Sequence, residues 1–244
     1  SYGFNGLVTL NGGDAGIDIL NGSSGTFTFG TAGHLVTLNH STNAGDAFRL
    51  DASNSNVTYN GNITDKNGNA VNIANHDGGT ITFQNGTINS SGATAGGIDI
   101  TENSAGSVNF SGQVTLSTEA NAGLTMTNNS GSSITFSGGL DITTTSGTAL
   151  LFTGGGELNI SGADNDVTTD TGQLIQISGG TTGTGIAFDR IDANGTVANF
   201  HAVSINNLDA DADAGDGVES FTANVIEVAG TAGSFDGIQV TGGA

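Results

Sequence analysis

A small residue followed by apolar, any, apolar recurs along this chain at a nearly constant interval, and this pattern restricts the fold more than any other feature. It reads Gly16-Ile17-Asp18-Ile19, Ala47-Phe48-Arg49-Leu50, Ala70-Val71-Asn72-Ile73, Gly97-Ile98-Asp99-Ile100, Gly123-Leu124-Thr125-Met126 and Ala149-Leu150-Leu151-Phe152. Looser copies follow at Ile175-Gln176-Ile177, Ala202-Val203-Ser204-Ile205 and Gly237-Ile238-Gln239-Val240. Successive first apolar positions are separated by 31, 23, 27, 26, 26, 25, 28 and 35 residues, a period of about 26 with insertions. A fixed period of this size marks a stacked repeat, in which each unit buries its apolar face only against its neighbours.

A second ladder runs out of phase with the first, in Phe27-Thr28-Phe29, Val57-Thr58-Tyr59, Ile81-Thr82-Phe83, Val108-Asn109-Phe110, Ile134-Thr135-Phe136, Leu158-Asn159-Ile160 and Ile186-Ala187-Phe188. Side chains alternate across a strand, so both apolar residues of each unit point inward. Stacking then predicts one buried aromatic column of Phe29, Tyr59, Phe83, Phe110, Phe136 and Phe188. A weaker third ladder contains Val36, Ile63, Ile88, Val114, Leu140, Val167 and Ile191. Hairpins pair sequence neighbours and would reverse such a pattern, whereas a parallel winding preserves it. The chain is therefore expected to form a right-handed parallel β-helix, a β-solenoid with three short strands per coil and about nine coils of about 26 residues. Residues 1–244 are read as a single domain. Asn-Gly steps at Asn21, Asn60, Asn67, Asn85 and Asn194 are expected to supply tight corners, because both residue types tolerate positive φ.

Composition agrees with this winding. Proline is absent, and in a parallel stack where nearly every strand is central a proline would delete a ladder hydrogen bond. Gly, Asn, Thr and Ser fill the spaces between apolar residues, no long window has a 3.6-residue period, and helices are excluded. The 42 glycines would suit a disordered chain were they not placed between regularly spaced apolar pairs.

The formal charge of −20 arises from 23 acidic residues against Arg49, Lys66 and Arg190. Counterion release on nucleic acid or anionic lipid is thereby excluded as a binding principle, and solubility with self-repulsion is what such a charge supplies. Cysteine is absent, so neither disulfides nor thiol chemistry operate. No apolar run reaches the 18 residues of a membrane span, so direct membrane insertion of this segment is not expected. Ser1 begins without a charged and then apolar leader, so any export signal is expected to have been removed or to lie outside these residues.

The last two coils are offset by 35 residues, nine more than the period, and the acidic stretch 209–217 absorbs the excess as a loop insertion. Asp209, Asp211, Asp213, Asp216 and Glu219 concentrate carboxylates there, and Ca²⁺ requires six to eight oxygen ligands from such a set. The first three carboxylates have the spacing of an EF-hand loop, but Ala214 and Ser220 stand where that loop needs glycine and a bidentate glutamate. Calcium is the one cofactor to which this composition points, and no catalytic residue is expected.

The remaining polar features have structural readings. Asp18 and Arg49 are expected to form a cross-strand ion pair, and His34, His40, His76 and His201 are expected at the surface without metal-ligand spacing. The outward pairs Thr26/Thr28, Asn56/Thr58, Thr80/Thr82, Ser107/Asn109 and Ser133/Thr135 form a hydroxyl-rich face. It is similar to the threonine arrays of ice-binding solenoids and is also ordinary chemistry for a solvated strand. Polysaccharide-binding or polysaccharide-degrading β-helices are the enzymatic alternative. A lyase needs a basic residue to take the proton, and here the three cations fall in separate coils; a hydrolase would want sugar-stacking aromatics, yet Trp is absent.

The repeats Gly96-Gly97-Ile98-Asp99-Ile100, Ser132-Ser133-Ile134-Thr135-Phe136-Ser137-Gly138-Gly139 and Gly156-Glu157-Leu158-Asn159-Ile160-Ser161-Gly162 resemble the β-strand repeats of bacterial autotransporter passengers and filamentous-haemagglutinin-like giant adhesins. The resemblance spans most of the chain and implies a segment of a longer repeat protein, exported and displayed at the bacterial cell surface. Its implied role is a structural or adhesive rod. The implied partners are a host or neighbouring cell-surface glycan or protein, or further copies in a fibre.

Overall fold

The computed structural model describes residues 1–11, 16–41, 45–197, 201–209, 220–231 and 237–242. These form β-strands and no helix, wound into a parallel solenoid of about eight turns. Nine strands delimit those turns on one face: Ile17–Leu20, Phe48–Asp51, Asn69–Ala74, Gly97–Thr101, Leu124–Thr127, Leu150–Thr153, Ile175–Ser178, Val203–Asn206 and Ile238–Thr241. Their first apolar residues stand in one unbroken register, Ile17, Phe48, Val71, Ile98, Leu124, Leu150, Ile175, Val203 and Ile238. At about 4.8 Å per step, eight steps make a wall roughly 38 Å long.

The other two faces belong to one 15-stranded sheet, because Asn56–Asp65, Ile186–Val197 and Phe221–Thr231 continue round the corner that separates them. Inside, the predicted aromatic column forms from Phe29 to Phe136. Phe83 and Phe110 have ring centroids 5.0 Å apart, Phe110 and Phe136 4.6 Å, and each pair lies within 4° of parallel. Such stacking adds about 0.5–1.5 kcal/mol per pair to the burial itself. Tyr59 sits in the same column fully buried, and its hydroxyl donates to the Asn62 carbonyl at 3.0 Å. Burial pushes that phenol's pKa far above its usual value, so it remains a donor at any physiological pH.

Five expectations are corrected. The third ladder shifts by one inward position at two places: Leu38 rather than Val36 pairs with Ile63, and Ile142 rather than Leu140 pairs with Val167. Phe188 leaves the aromatic column: Ile160 pairs with Ile186, so Phe188 lies one inward position further along, still buried. The displacement arises because residues 182–184 loop over Asn159, whose Oδ1 accepts from Thr182 Oγ1 and from the Gly183 and Thr184 amides. Two residues are thereby inserted between the Glu157–Thr181 bridge and the Ile160–Ile186 pair.

The corners use a different device from Asn-Gly steps. Of the five asparagines predicted there, only Asn21 and Asn85 have positive φ. The residue that follows each of the nine first-face strands is instead left-handed: Asn21, Ala52, Asn75, Glu102, Asn128, Gly154, Gly179, Asn207 and Gly242, with φ between 51° and 80°. Asn and Gly tolerate this conformation, whereas Ala52 and Glu102 adopt it at a cost of about 1 kcal/mol each.

Arg49 stands opposite Asp18 in register, yet its guanidinium turns to Asp51 on its own strand at 2.8 Å. His40 and His76 are buried rather than at the surface. His40 Nδ1 meets the Asp65 carboxylate at 2.7 Å with both side chains fully enclosed, and Asp65 also accepts from the Asn67 and Gly68 amides. The period-2 pattern cannot distinguish such an enclosed polar pair from an outward-facing one.

Candidate functional site

The left-handed corner redirects the chain, so that the side chain one residue later points inward again. Stacked over successive coils, this position gives a column of Ser53, His76, Asn103 and Asn129, each at most 1% exposed. Backbone and side chains interlock along it: the His76 amide donates to Asn103 Oδ1 at 2.7 Å, and the Asn103 amide donates to Asn129 Oδ1 at 3.2 Å. Asn129 Nδ2 donates to the Ile100 carbonyl, and His76 Nδ1 meets the Ser53 carbonyl at 2.5 Å. A carbonyl can only accept, so Nδ1 carries the proton in this arrangement. His76 Nε2 and Asn103 Nδ2 are enclosed without a partner.

Beyond Asn129 the same column continues as Gly155 and Gly180, and both glycines border a groove at this corner. This groove of about 450 Å³ is lined by Gly106, Ser130, Ser132, Ser133, Glu157 and Thr181 together with these glycines. Glycine is obligatory at Gly180, where a Cβ would stand 2.5 Å from the Phe152 ring. Glu157 supplies the groove's carboxylate, and its Oε1 accepts from Ser133 Oγ at 2.9 Å and Asn159 Nδ2 at 2.5 Å. A carboxylate fixed by two donors is poised to accept hydrogen bonds, and glycosidase chemistry would require a second carboxyl facing it.

The hydroxyl-rich face leads into this groove. Thr26 pairs with Asn56, Thr80 with Ser107, Ser107 with Ser133, and Ser133 with Glu157. Thr28, Thr58, Thr82, Asn109, Thr135 and Asn159 form the parallel column beside it. A further hydroxyl column lies on the first face, where Thr101, Thr127, Thr153 and Ser178 stack in register immediately before the left-handed corner. Sequence inspection confined to the middle of each strand overlooked it; the recurring threonine after the second apolar residue was the signal.

Of the residues read as calcium ligands, Asp209 lies among the described residues and Asp211, Asp213, Asp216 and Glu219 lie outside them. Asp209 is built into the wall through its backbone, bridging Thr181, with its amide donating to the Gly180 carbonyl at 2.9 Å. Among the described residues, no three His, Asp or Glu side chains are grouped to hold a metal ion.

Elsewhere, acidic side chains crowd one another on the wall. Burial, followed by the charge of Asp46, raises the pKa of Asp99, and one of its oxygens is enclosed without a hydrogen-bond partner. Burial, followed by Asp166 and Asp164, likewise raises that of Asp141. Asp51 shifts the other way, through a hydrogen bond from Asn75 and the guanidinium of Arg49. Comparison with protein-family models, curated proteins and solved structures gave no match.

Proposed function

We propose that this chain is a passive extracellular rod, a structural or adhesive element of a bacterial surface or fibre protein, without catalytic activity. The observation that carries this reading is the uninterrupted core. Nine first-face strands stack in one register, with inward side chains almost wholly enclosed from Leu38 to Ile177. Such a stack transmits length and stiffness, since each coil is held by the same ladder and packing as the next. The acidic surface, with three Lys and Arg residues in 244, keeps rods apart and leaves trypsin-like proteases few cleavage points.

The groove beside Glu157 supports a binding role over a hydrolytic one. It offers hydroxyls and one anchored carboxylate, chemistry suited to the hydroxyls of a neighbouring cell-surface glycan. Antibodies raised against the chain should label intact cells of the producing organism, or fibres shed from them, without permeabilisation. Labelling confined to permeabilised cells would refute the reading, as would release of reducing ends or unsaturated sugars from polysaccharide by the purified chain.

A further inference from the structure

We infer that the groove beside Glu157 takes the acetamido group of a neutral, N-acetylated amino sugar. This names the sugar class for the glycan-binding role proposed above and rests on that reading.

Backbone donors gather at this corner. Of the residues that border the groove, Ser130, Gly131, Gly155, Gly156 and Gly180 each present an N–H that donates to no acceptor among the described residues. In earlier coils the corner satisfies such donors from within, since the His76 and Asn103 amides donate to the Asn103 and Asn129 side chains of the coil that follows. Gly155 and Gly180, further along the same column, have no side-chain oxygen to offer. Acceptors here must come from water or from a ligand.

An acceptor stands in the same groove. Glu157 Oε1 is taken by Ser133 Oγ and Asn159 Nδ2, whereas Oε2 accepts from no donor among the described residues. The 182–184 loop walls the carboxylate closely, and a Cβ at Gly183 would stand 3.0 Å from Oε1. Its position is therefore fixed before a ligand arrives, which reduces the ordering cost of binding.

A ligand that satisfies both sets must accept and donate from one rigid group. An acetamido group does so: its carbonyl oxygen has two lone pairs for backbone N–H donors, and its own N–H is left for Oε2. The hydroxyls of Ser130 and Thr181 remain for the ring hydroxyls of the sugar. A volume of about 450 Å³ falls within the range of small-ligand sites, about 300–1,000 Å³. An acidic sugar is disfavoured, because neither Lys nor Arg lines the groove and Glu157 would repel it. A peptide could supply the same amide. However, the bordering strands Ser133–Phe136 and Glu157–Ile160 are paired on both sides, so they offer no edge to extend, and no large apolar side chain lines the groove to hold a peptide side chain.

Saturation-transfer difference NMR of the purified chain with N-acetylglucosamine, N-acetylgalactosamine and N-acetylmannosamine tests this assignment. At least one should give a signal strongest at its acetyl methyl and several-fold above that of glucose, galactose or mannose. N-acetylneuraminic acid, which carries the same acetamido group beside a carboxylate, should bind more weakly. Glu157→Ala should weaken binding by about tenfold or more. Gly155→Asn should block it, since a Cβ there has room, 3.6 Å from Ser130, and asparagine tolerates positive φ. Circular dichroism should show the β spectrum retained in both variants.

The absence of an acetyl signal with all three amino sugars would overturn the proposal, as would binding undiminished in a folded Gly155→Asn variant. Equal binding of N-acetylneuraminic acid would overturn the neutral class, and equal binding of a capped asparagine would transfer the groove to a protein amide. Hexoses that bind as well as their acetamido counterparts would leave the glycan reading standing and remove this one. Surface labelling of intact cells is independent of every arm, so the rod reading fails or survives separately.

Discussion

The central and outermost windings carry the same sequence pattern but have different fates. In the centre, Ile98, Leu124, Met126, Phe110 and Phe136 are at most 1% exposed, because a coil lies above and below each. In the last coil Ile238 and Val240 occupy equivalent positions and are 48% and 63% exposed. The difference teaches that an apolar residue here is buried by its neighbours in the stack, not by its own strand. Stability in such an array is a sum of contacts between adjacent coils, and a coil with one neighbour receives half of them.

Truncating a ring tests this contrast most severely. Phe110→Ala removes the ring between Phe83 and Phe136 and should lower unfolding stability by about 3–5 kcal/mol in urea titrations. Phe4→Ala, at the exposed end of the same column, should cost less than about 1 kcal/mol. Equal effects would break the nearest-neighbour picture.

The buried polar column sharpens the comparison, because it exists only where coils are sandwiched. Asn103→Ala strands the His76 amide and should cost about 1–3 kcal/mol, with faster hydrogen exchange at His76. A smaller gain is expected at the corner, where Ala52 holds φ at 52°. Ala52→Gly should raise stability by about 1 kcal/mol, since glycine adopts that conformation freely.

The smallest effect concerns Asp99. Its folded-state pKa is raised, so its favourable contribution is complete below the unfolded value near pH 4 and is lost as pH rises through the folded value. At neutral pH the ionised group opposes folding. Asp99→Asn should therefore melt slightly higher than the unsubstituted chain at pH 7, and the gap should close on acidification. A gap that widens toward acid would show the assignment to be wrong.

Much of this was legible in the chain itself. The first-face ladder stands as read in all nine strands, because a period-2 apolar pair repeated every 26 residues or so has one compact solution, parallel stacking. The offset of the last two coils was equally legible: Ile191 pairs with Ile226 and Val203 with Ile238. The site was less so. The groove beside Glu157 lies where Gly155 and Gly180 follow Asn103 and Asn129, in a column that the strand pattern does not reveal as a column. The corner rule was hidden in the same way, since Ala52 and Glu102 interrupt an otherwise plain run of Asn and Gly.

By itself the sequence determined the winding, its period and its inward aliphatic and aromatic lining, because these depend on which residues leave water and on side chains alternating along a strand. Only the tertiary structure decided that Phe188 gives way to Ile186 in the aromatic column, that Arg49 chooses Asp51 over Asp18, and that His40 and His76 lie inside. Each depends on where a neighbouring coil places a carbonyl, a carboxylate or a loop. Those positions arise from inserted residues and corner geometry a full turn away, which no local pattern contains.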